Sequence, residues 1–266
     1  LLCESLKRIA GGVGIEFHGD HTSSRPVTTR GRSGIGWVIV RAAGGWVQIV
    51  FRAFMARFVM GATSRRFPDS DSLFFVTYFP YLDKQAATEG KFRNKYFEPL
   101  QDILEAKGKS IFWILVFVYI DGGSFRDSLK TARKMARMGE KIIFLEEFLG
   151  VKEIFVGFFL WLAQIVKYLF LEKKFDDEML CGGTLSPSCI PIIQDLWRRS
   201  FCGVEALRGL MNYLAFFKAF ASIPQQKRCI YCCEMQGWEK AMISAGQRVR
   251  PEMETIGYQH TCVSRN

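Results

Sequence analysis

Arg228–Val263 reads RCIYCCEMQGWEKAMISAGQRVRPEMETIGYQHTCV, and the order of elements it encodes decides the fold class. Cys229-Ile-Tyr-Cys-Cys233 is a short β-prone run that ends in the polar sequence Glu234-Met235-Gln236-Gly237. Lys240–Gly246 has helical character. A second extended run begins at Thr255 and passes straight into Gln259-His260. Strand, turn, helix, loop and strand in this order imply parallel strands joined by a right-handed crossover. In open α/β sheets, ligands sit in the crevice beyond the carboxyl ends of the strands. Glu234 and His260 both fall at such ends, which makes them the first candidates for chemistry.

The same alternation extends upstream. Ser72-Leu-Phe-Phe-Val-Thr-Tyr-Phe79 is a β-branched and aromatic run expected as a buried strand, followed by the turn Pro80-Tyr-Leu-Asp83. Tyr96–Lys107 carries Leu100, Ile103 and Leu104 at helical spacing, with Gly108 as a stop. Ile111–Ile120 is an apolar run too short to cross a bilayer and suited to a buried parallel strand. Ser124 with Asp127 predicts a capped helix ending before Gly139, with a basic face of Arg126, Lys130, Arg133, Lys134 and Arg137. Lys141–Leu145 is either a short strand or the start of the next helix.

Two further segments are apolar and helical. Residues 36–60 are punctuated by Arg41, Gln48, Arg52 and Arg57, which predicts an amphipathic helix packed on the domain with its cations reaching outward; the alternative is a basic helix that, with Arg65 and Arg66 beyond it, touches anionic lipid. Val151–Leu171 is apolar almost all round and is expected to be buried, with contact to a membrane as the alternative. Residues 176–188 are expected as a polar loop. Pro191 then suits the first turn of one long helix reaching Ser222. The domain boundaries expected are 1–70 for a segment of loop plus amphipathic helix, and 71–266 for the α/β domain with a long helical insertion.

Nearly half of the 266 residues are hydrophobic, which argues against disorder, and the net charge of +10 favours anionic partners. No helix-turn-helix, zinc finger or aromatic RNA-binding motif is present, so a nucleic-acid partner is not expected. The eight cysteines have apolar neighbours and no secretory h-region precedes them, which is consistent with reduced thiols in a cytoplasmic setting. Cys229, Cys232, His260 and Cys262 can be drawn as a zinc set. Residues three apart on a strand face opposite ways, so no metal is expected there. The chain starts at Leu1 and stops at Asn266 just after a site-like turn, as a piece of a longer protein would.

Glu234 at a strand end suits a general base if a cleft raises its pKa. His260 suits the same role or a donor to phosphate. Glu239 is either a ligand contact or a helix first-turn acid that complements the dipole. Trp238 either stacks on a sugar or base, or packs the helix on the sheet. No serine or cysteine nucleophile sits at an elbow motif.

From about Leu73 onward the sequence resembles a family of bacterial surface-carbohydrate biosynthesis proteins, sugar transferases of a GT-B-like build. The resemblance rests on FFVTYFPYLDKQAATEGKFRNKYFEPLQDIL, the strand around Trp113, EMQGWEKAMI and IGYQHTCV. It implies a Rossmann-like parallel sheet flanked by helices, the N-terminal, acceptor-side half of a GT-B architecture truncated before its second domain. It implies transfer of a sugar from a nucleotide-sugar donor to a carbohydrate or lipid-linked acceptor, with no cofactor and no bound metal. Glu234 or His260 would be the base, and Gln236, Trp238, Glu239 and Gln259 would contact substrate. The localisation expected is cytoplasmic, with peripheral contact to the anionic inner face of the membrane. The competing expectation is a non-catalytic, membrane-associated assembly protein that docks on anionic lipid through its basic and apolar helices.

Overall fold

The computed structural model describes residues 34–61, 73–119, 123–181, 190–223 and 227–259, with the side chains of residues 172–191 excepted. Five strands form one sheet: β1 Leu73–Phe79, β2 Ile111–Phe117, β3 Ile142–Phe144, β4 Arg228–Cys232 and β5 Glu254–Tyr258. Their spatial order is β3-β2-β1-β4-β5, and every neighbouring pair is parallel. The α/β class with a Rossmann-like parallel sheet is therefore present. The chain winds outward from β1 to β3, then returns to the other side of β1 to place β4. That reversal creates a topological switch point between β1 and β4.

Eight α-helices complete the described residues: α1 Ile35–Met60, α2 Lys84–Thr88, α3 Glu98–Ala106, α4 Phe125–Arg137, α5 Val151–Cys181, α6 Ile190–Cys202, α7 Val204–Ser222 and α8 Gly237–Val249. Ser124 caps α4 as its sequence predicts, accepting from the Asp127 amide at 3.1 Å. Lys141–Leu145 resolves into the three-residue β3 followed by a 3-10 turn at Leu145–Phe148. The helical insertion between β3 and β4 is present as α5 to α7.

Three expectations need correction. The polar loop expected from residue 176 gives way to helix, since α5 continues to Cys181. The single helix expected from Pro191 to Ser222 breaks at Gly203, where an added Cβ would lie 2.5 Å from the Arg199 carbonyl oxygen. That close backbone approach admits only glycine. Burial of Val151–Leu171 is also not found: 22% of its apolar window is buried, the same share as in α1.

The described residues fall into two compact units, Leu1–Ala43 with Trp161–Ala206, and Gly44–Leu160 with Leu207–Asn266. In the first, the Trp161 indole donates to the Cys202 carbonyl at 3.2 Å and ties α5 to α6. The second contains the sheet, and side-chain alternation along β1 shows how its two faces are filled. Phe75 and Phe79 point to a face where Trp113 of β2 sits 4.9 Å from both Phe75 and Phe92, and Phe97 packs edge-on against Phe75. Tyr78 points to the other face, against Trp238 of α8, which stacks on Phe216 of α7. Both faces being covered explains the near-continuous apolar strands, with β1 and β2 each buried at six of seven positions. Arg250 completes the end of α7, donating to the carbonyls of Phe220 and Ile223.

One ion pair anchors α1 to the sheet. Contrary to the expectation that the cations of α1 reach outward, Arg52 turns inward and pairs with Glu146 of the 3-10 turn, both largely withdrawn from solvent. Its guanidinium also lies over the rings of Phe117 and Phe125, at 4.7 and 4.8 Å. Removing one member of such a pair leaves an uncompensated charge, whereas replacing both by apolar groups is often neutral. Arg52→Met alone is therefore expected to cost about 3 kcal/mol in urea-induced unfolding, and the double variant with Glu146→Leu to recover most of that loss. Equal losses in the single and double variants would show that packing, not charge, is what Arg52 supplies.

Candidate functional site at the strand switch point

The carboxyl ends of β1 and β4 bring together two short loops. After β1 the chain turns through a cis Phe79–Pro80 peptide to Tyr81. After β4 it passes through Cys233, Glu234, Met235 and Gln236 into α8. Met235 is 91% exposed and holds φ at 58°, a left-handed conformation that few residues other than glycine adopt. Glu239 holds that turn: its Oε1 accepts from the backbone amides of both Glu234 and Gln236 at 2.9 Å. Glu239 is 4% exposed, so its carboxylate serves the loop's backbone, as its place in the first helical turn predicts.

Trp238 is likewise occupied by the fold. It is buried, its Nε1 donates to the Tyr78 hydroxyl at 2.9 Å, and its ring lies against Tyr78, Tyr231 and Phe216. This is the helix-on-sheet packing role. Gln236 and Gln259 are exposed, and Glu234 is half-buried. Gln259 follows Tyr258, whose carbonyl accepts from the Cys233 amide at 3.0 Å. The Glu234 loop and Gln259 therefore lie at the same edge of the sheet. Gly257 permits this pairing, since a Cβ there would stand 3.0 Å from the Tyr231 hydroxyl. His260 and Cys262 lie outside the described residues.

The structure adds residues that the sequence reading passed over. Tyr81 and Tyr96 stack at 4.7 Å, and Tyr81 lies 6.4 Å from Tyr78. Burial pushes the phenols of Tyr78 and Tyr96 well above their ordinary range, and the Glu234 carboxylate adds to both shifts. A hydrogen bond to Tyr81 contributes to the shift at Tyr96. Asn94 sets the loop that carries Tyr96. It is fully buried, donates to the Thr77 hydroxyl and the Tyr81 carbonyl, and accepts from the Tyr96 amide. The visible signal was the density of tyrosine around Pro80; the role of Asn94 emerges only from tertiary contacts.

The result is a carboxylate beside the Tyr78 and Tyr96 phenols, whose raised pKa keeps them protonated at neutral pH, with the stacked Tyr81 ring and the exposed amides of Gln236 and Gln259 nearby. Such a set can accept from and donate to a polyhydroxylated ligand while the stacked rings offer an apolar face. Among the described residues of this unit, two open grooves lie away from this cluster. One, at the amino ends of the strands, is lined by Gln101, Lys109, Trp113 and Glu140; the other lies beside α4. Among the described residues, no group of three or more His, Cys, Asp or Glu is placed to hold a metal ion. No family model, curated protein or solved structure matches the chain.

Cys229 and Cys232 flank this site from inside β4. Burial pushes both thiols up to about 12, and at Cys232 the neighbouring Glu234 carboxylate adds to it. A raised folded-state pKa favours the protonated form. The stability it supplies is complete below the unfolded thiol value of about 8.5 and declines as pH rises from there toward 12. Unfolding free energy is expected to fall above about pH 8.5, by up to about 1.4 kcal/mol per pH unit for each such thiol, and less steeply in Cys229→Ala. Alkylation of the native protein with peptide mapping is expected to spare Cys229 and Cys232 while modifying the half-buried Cys233.

Proposed function

We propose that the chain is the acceptor-side domain of a glycosyltransferase acting on cell-surface polysaccharide precursors, with Glu234 as the base. The observation that carries this reading is the half-buried Glu234 carboxylate among Tyr78, Tyr81 and Tyr96 at the switch point of a parallel sheet. The resemblance of the sequence to sugar transferases supplies the reaction class. A carboxylate withdrawn from water and held among hydroxyl donors is suited to take the proton of an acceptor hydroxyl as it attacks the anomeric carbon. The diphosphate of the donor leaves with the electron pair of the broken glycosidic bond, and nearby cationic groups or helix N-termini stabilise its charge. Gln236 and Gln259 are the exposed amides beside this carboxylate, and each is suited to bind sugar hydroxyls. His260 is kept as the second candidate base.

Glu234→Gln keeps the size of the side chain and its capacity to accept from Tyr78 and Cys232, so the substitution removes the base with little change to the scaffold. With a panel of nucleoside-diphosphate sugars and a polyol acceptor, Glu234→Gln is expected to lower kcat/KM by about 100-fold or more while leaving the melting temperature almost unchanged. His260→Ala, assayed in parallel, identifies the base if only one variant is impaired. Normal turnover in both variants would remove the site assignment. Absence of any nucleotide-sugar affinity, with retained binding to lipid vesicles, would replace the reading by that of a non-catalytic assembly protein.

A further inference from the structure

The second groove of the sheet-containing unit lies along α4, far in sequence from Glu234, and its lining is distinctive. It encloses about 360 Å³ between Val59, Lys130, Arg133, Lys134, Arg137 and Met138. Four cations on consecutive turns of one helix repel one another, so their convergence needs a counter-charge. The described residues supply little of it. Lys130 shares the exposed carboxylate of Asp127 at 3.2 Å, and Lys134 donates to the Thr88 carbonyl at 2.8 Å. Arg133 and Arg137 have no acidic partner among the described residues, and the buried Arg133 Nε has no hydrogen-bond acceptor there. The cations that converge on the groove without an acidic partner, with one Arg133 donor left unpaired beside them, favour an anion there.

What adjoins the groove indicates which anion. Val59 follows Phe58, which is 77% exposed and ends an outward stripe of Val47, Phe51, Phe54 and Phe58 on α1. The opposite stripe of α1, Ile49, Ala53, Ala56 and Met60, is buried. α5 runs antiparallel beside this half of α1: Trp46 meets Phe158 at 5.0 Å, and Arg57 donates to the Glu147 carbonyl just before α5 begins. α5 presents Val151, Phe155 and Phe159 to the outside as well. An aromatic and aliphatic surface rimmed by Lys and Arg, in a chain of net charge +10, has the composition of an interfacial membrane element. A bilayer-spanning course for this half of α1 is inconsistent with Arg52, which is tied to Glu146 and to the rings of Phe117 and Phe125. The helix instead lies with one stripe on its own domain and the other free.

We propose that the α4 groove binds the phosphate of an anionic phospholipid, with the outer stripes of α1 and α5 seated in the headgroup and upper acyl region of the same leaflet. Arg133 and Arg137 are the phosphate ligands, Lys130 and Lys134 supply the surrounding positive field, and Val59 and Met138 face the glycerol and first methylenes. This assignment does not depend on the sugar-transfer reading.

Co-sedimentation of the full chain with vesicles tests it, using phosphatidylcholine alone and phosphatidylcholine mixed with phosphatidylglycerol, at low and high salt. Binding to the mixed vesicles is expected to exceed binding to the neutral ones and to weaken with salt. Arg133→Gln with Arg137→Gln is expected to lower partitioning about 30-fold, at about fivefold per charge near an anionic surface. Phe54→Ser with Phe58→Ser is expected to keep the salt-sensitive attraction and to lose the fraction that survives high salt. Unaltered circular dichroism in both surface variants confirms that folding is intact. Equal binding to neutral and anionic vesicles, or no effect of the arginine pair, would overturn the proposal. So would binding of soluble glycerol phosphate without any binding to vesicles.

Discussion

The pairing of β1 with β4 is the constraint on which the remaining structure depends. β1 is already paired with β2 along its whole length, from Leu73 opposite Ile111 to Phe79 opposite Phe117. Its other edge is closed by β4 through Phe74–Cys229, Phe75–Ile230 and Val76–Tyr231. Closing that edge requires the chain to return across the sheet after β3, and α5 to α7 are the excursion that returns it. A central strand buried on both faces and bonded on both edges is rigid, and the loops leaving its end and that of β4 inherit this rigidity. That is why Tyr81 and Glu234, 153 positions apart in sequence (234 minus 81), can be held in one small polar cluster.

The polar groups near this junction divide into two kinds. Asn94, Gln101 and Glu239 are buried, and their hydrogen bonds go to backbone groups or to neighbours in the scaffold. Burying them is tolerated because those bonds replace the ones lost to water. Glu234, Tyr81 and Tyr96 are only half-buried and sit where the scaffold ends. Met235 between them keeps an exposed side chain on a left-handed backbone, a geometry sustained by the two amide bonds to Glu239. A loop that needs a buried carboxylate to hold an unfavourable conformation is over-determined, and such loops cluster at functional sites.

Much of the architecture was legible because its signals are local. The Leu73–Phe79 and Ile111–Phe117 runs are too apolar to alternate and too short to be core helices, so their length alone identifies them as doubly buried strands. The Ser124 cap and the polar ends of β4 and β5 are equally local. The opacity lay where a residue's neighbours, not its type, decide the outcome. Gly203 stands where the helical repeat breaks, at a position where a Cβ would meet the Arg199 carbonyl, which periodicity does not register. Asn94 gains its role from Thr77 in β1 and Tyr81 in the loop after it, both distant in sequence. Within the Glu234 motif, Glu239 and Trp238 had two readings each, and only burial separates a substrate contact from a cap or a packing ring.

α5 is the sharpest instance of that limit. Hydropathy records that Val151–Leu171 avoids water, and it cannot distinguish protein from lipid as the alternative solvent. Ile154, Trp161, Ile165 and Tyr168 turn one stripe inward, while Phe155, Phe159, Val166 and Phe170 turn outward with no loss of hydrophobicity. A helix selected only for a water-facing exterior would carry charges on that second stripe, since each exposed phenylalanine forgoes stabilisation of about 1.5–3 kcal/mol that burial would give. Several such residues on α5, with a similar set on α1, form the exposed apolar surface that the proposed lipid contact would cover. Among the described residues of the sheet-containing unit, the faces of the sheet are already filled by Trp113, Phe97, Trp238 and Phe216. Under the lipid proposal that covering phase is an anionic leaflet, and the arginine-lined groove at the end of the α1 stripe is where its negative charge would sit.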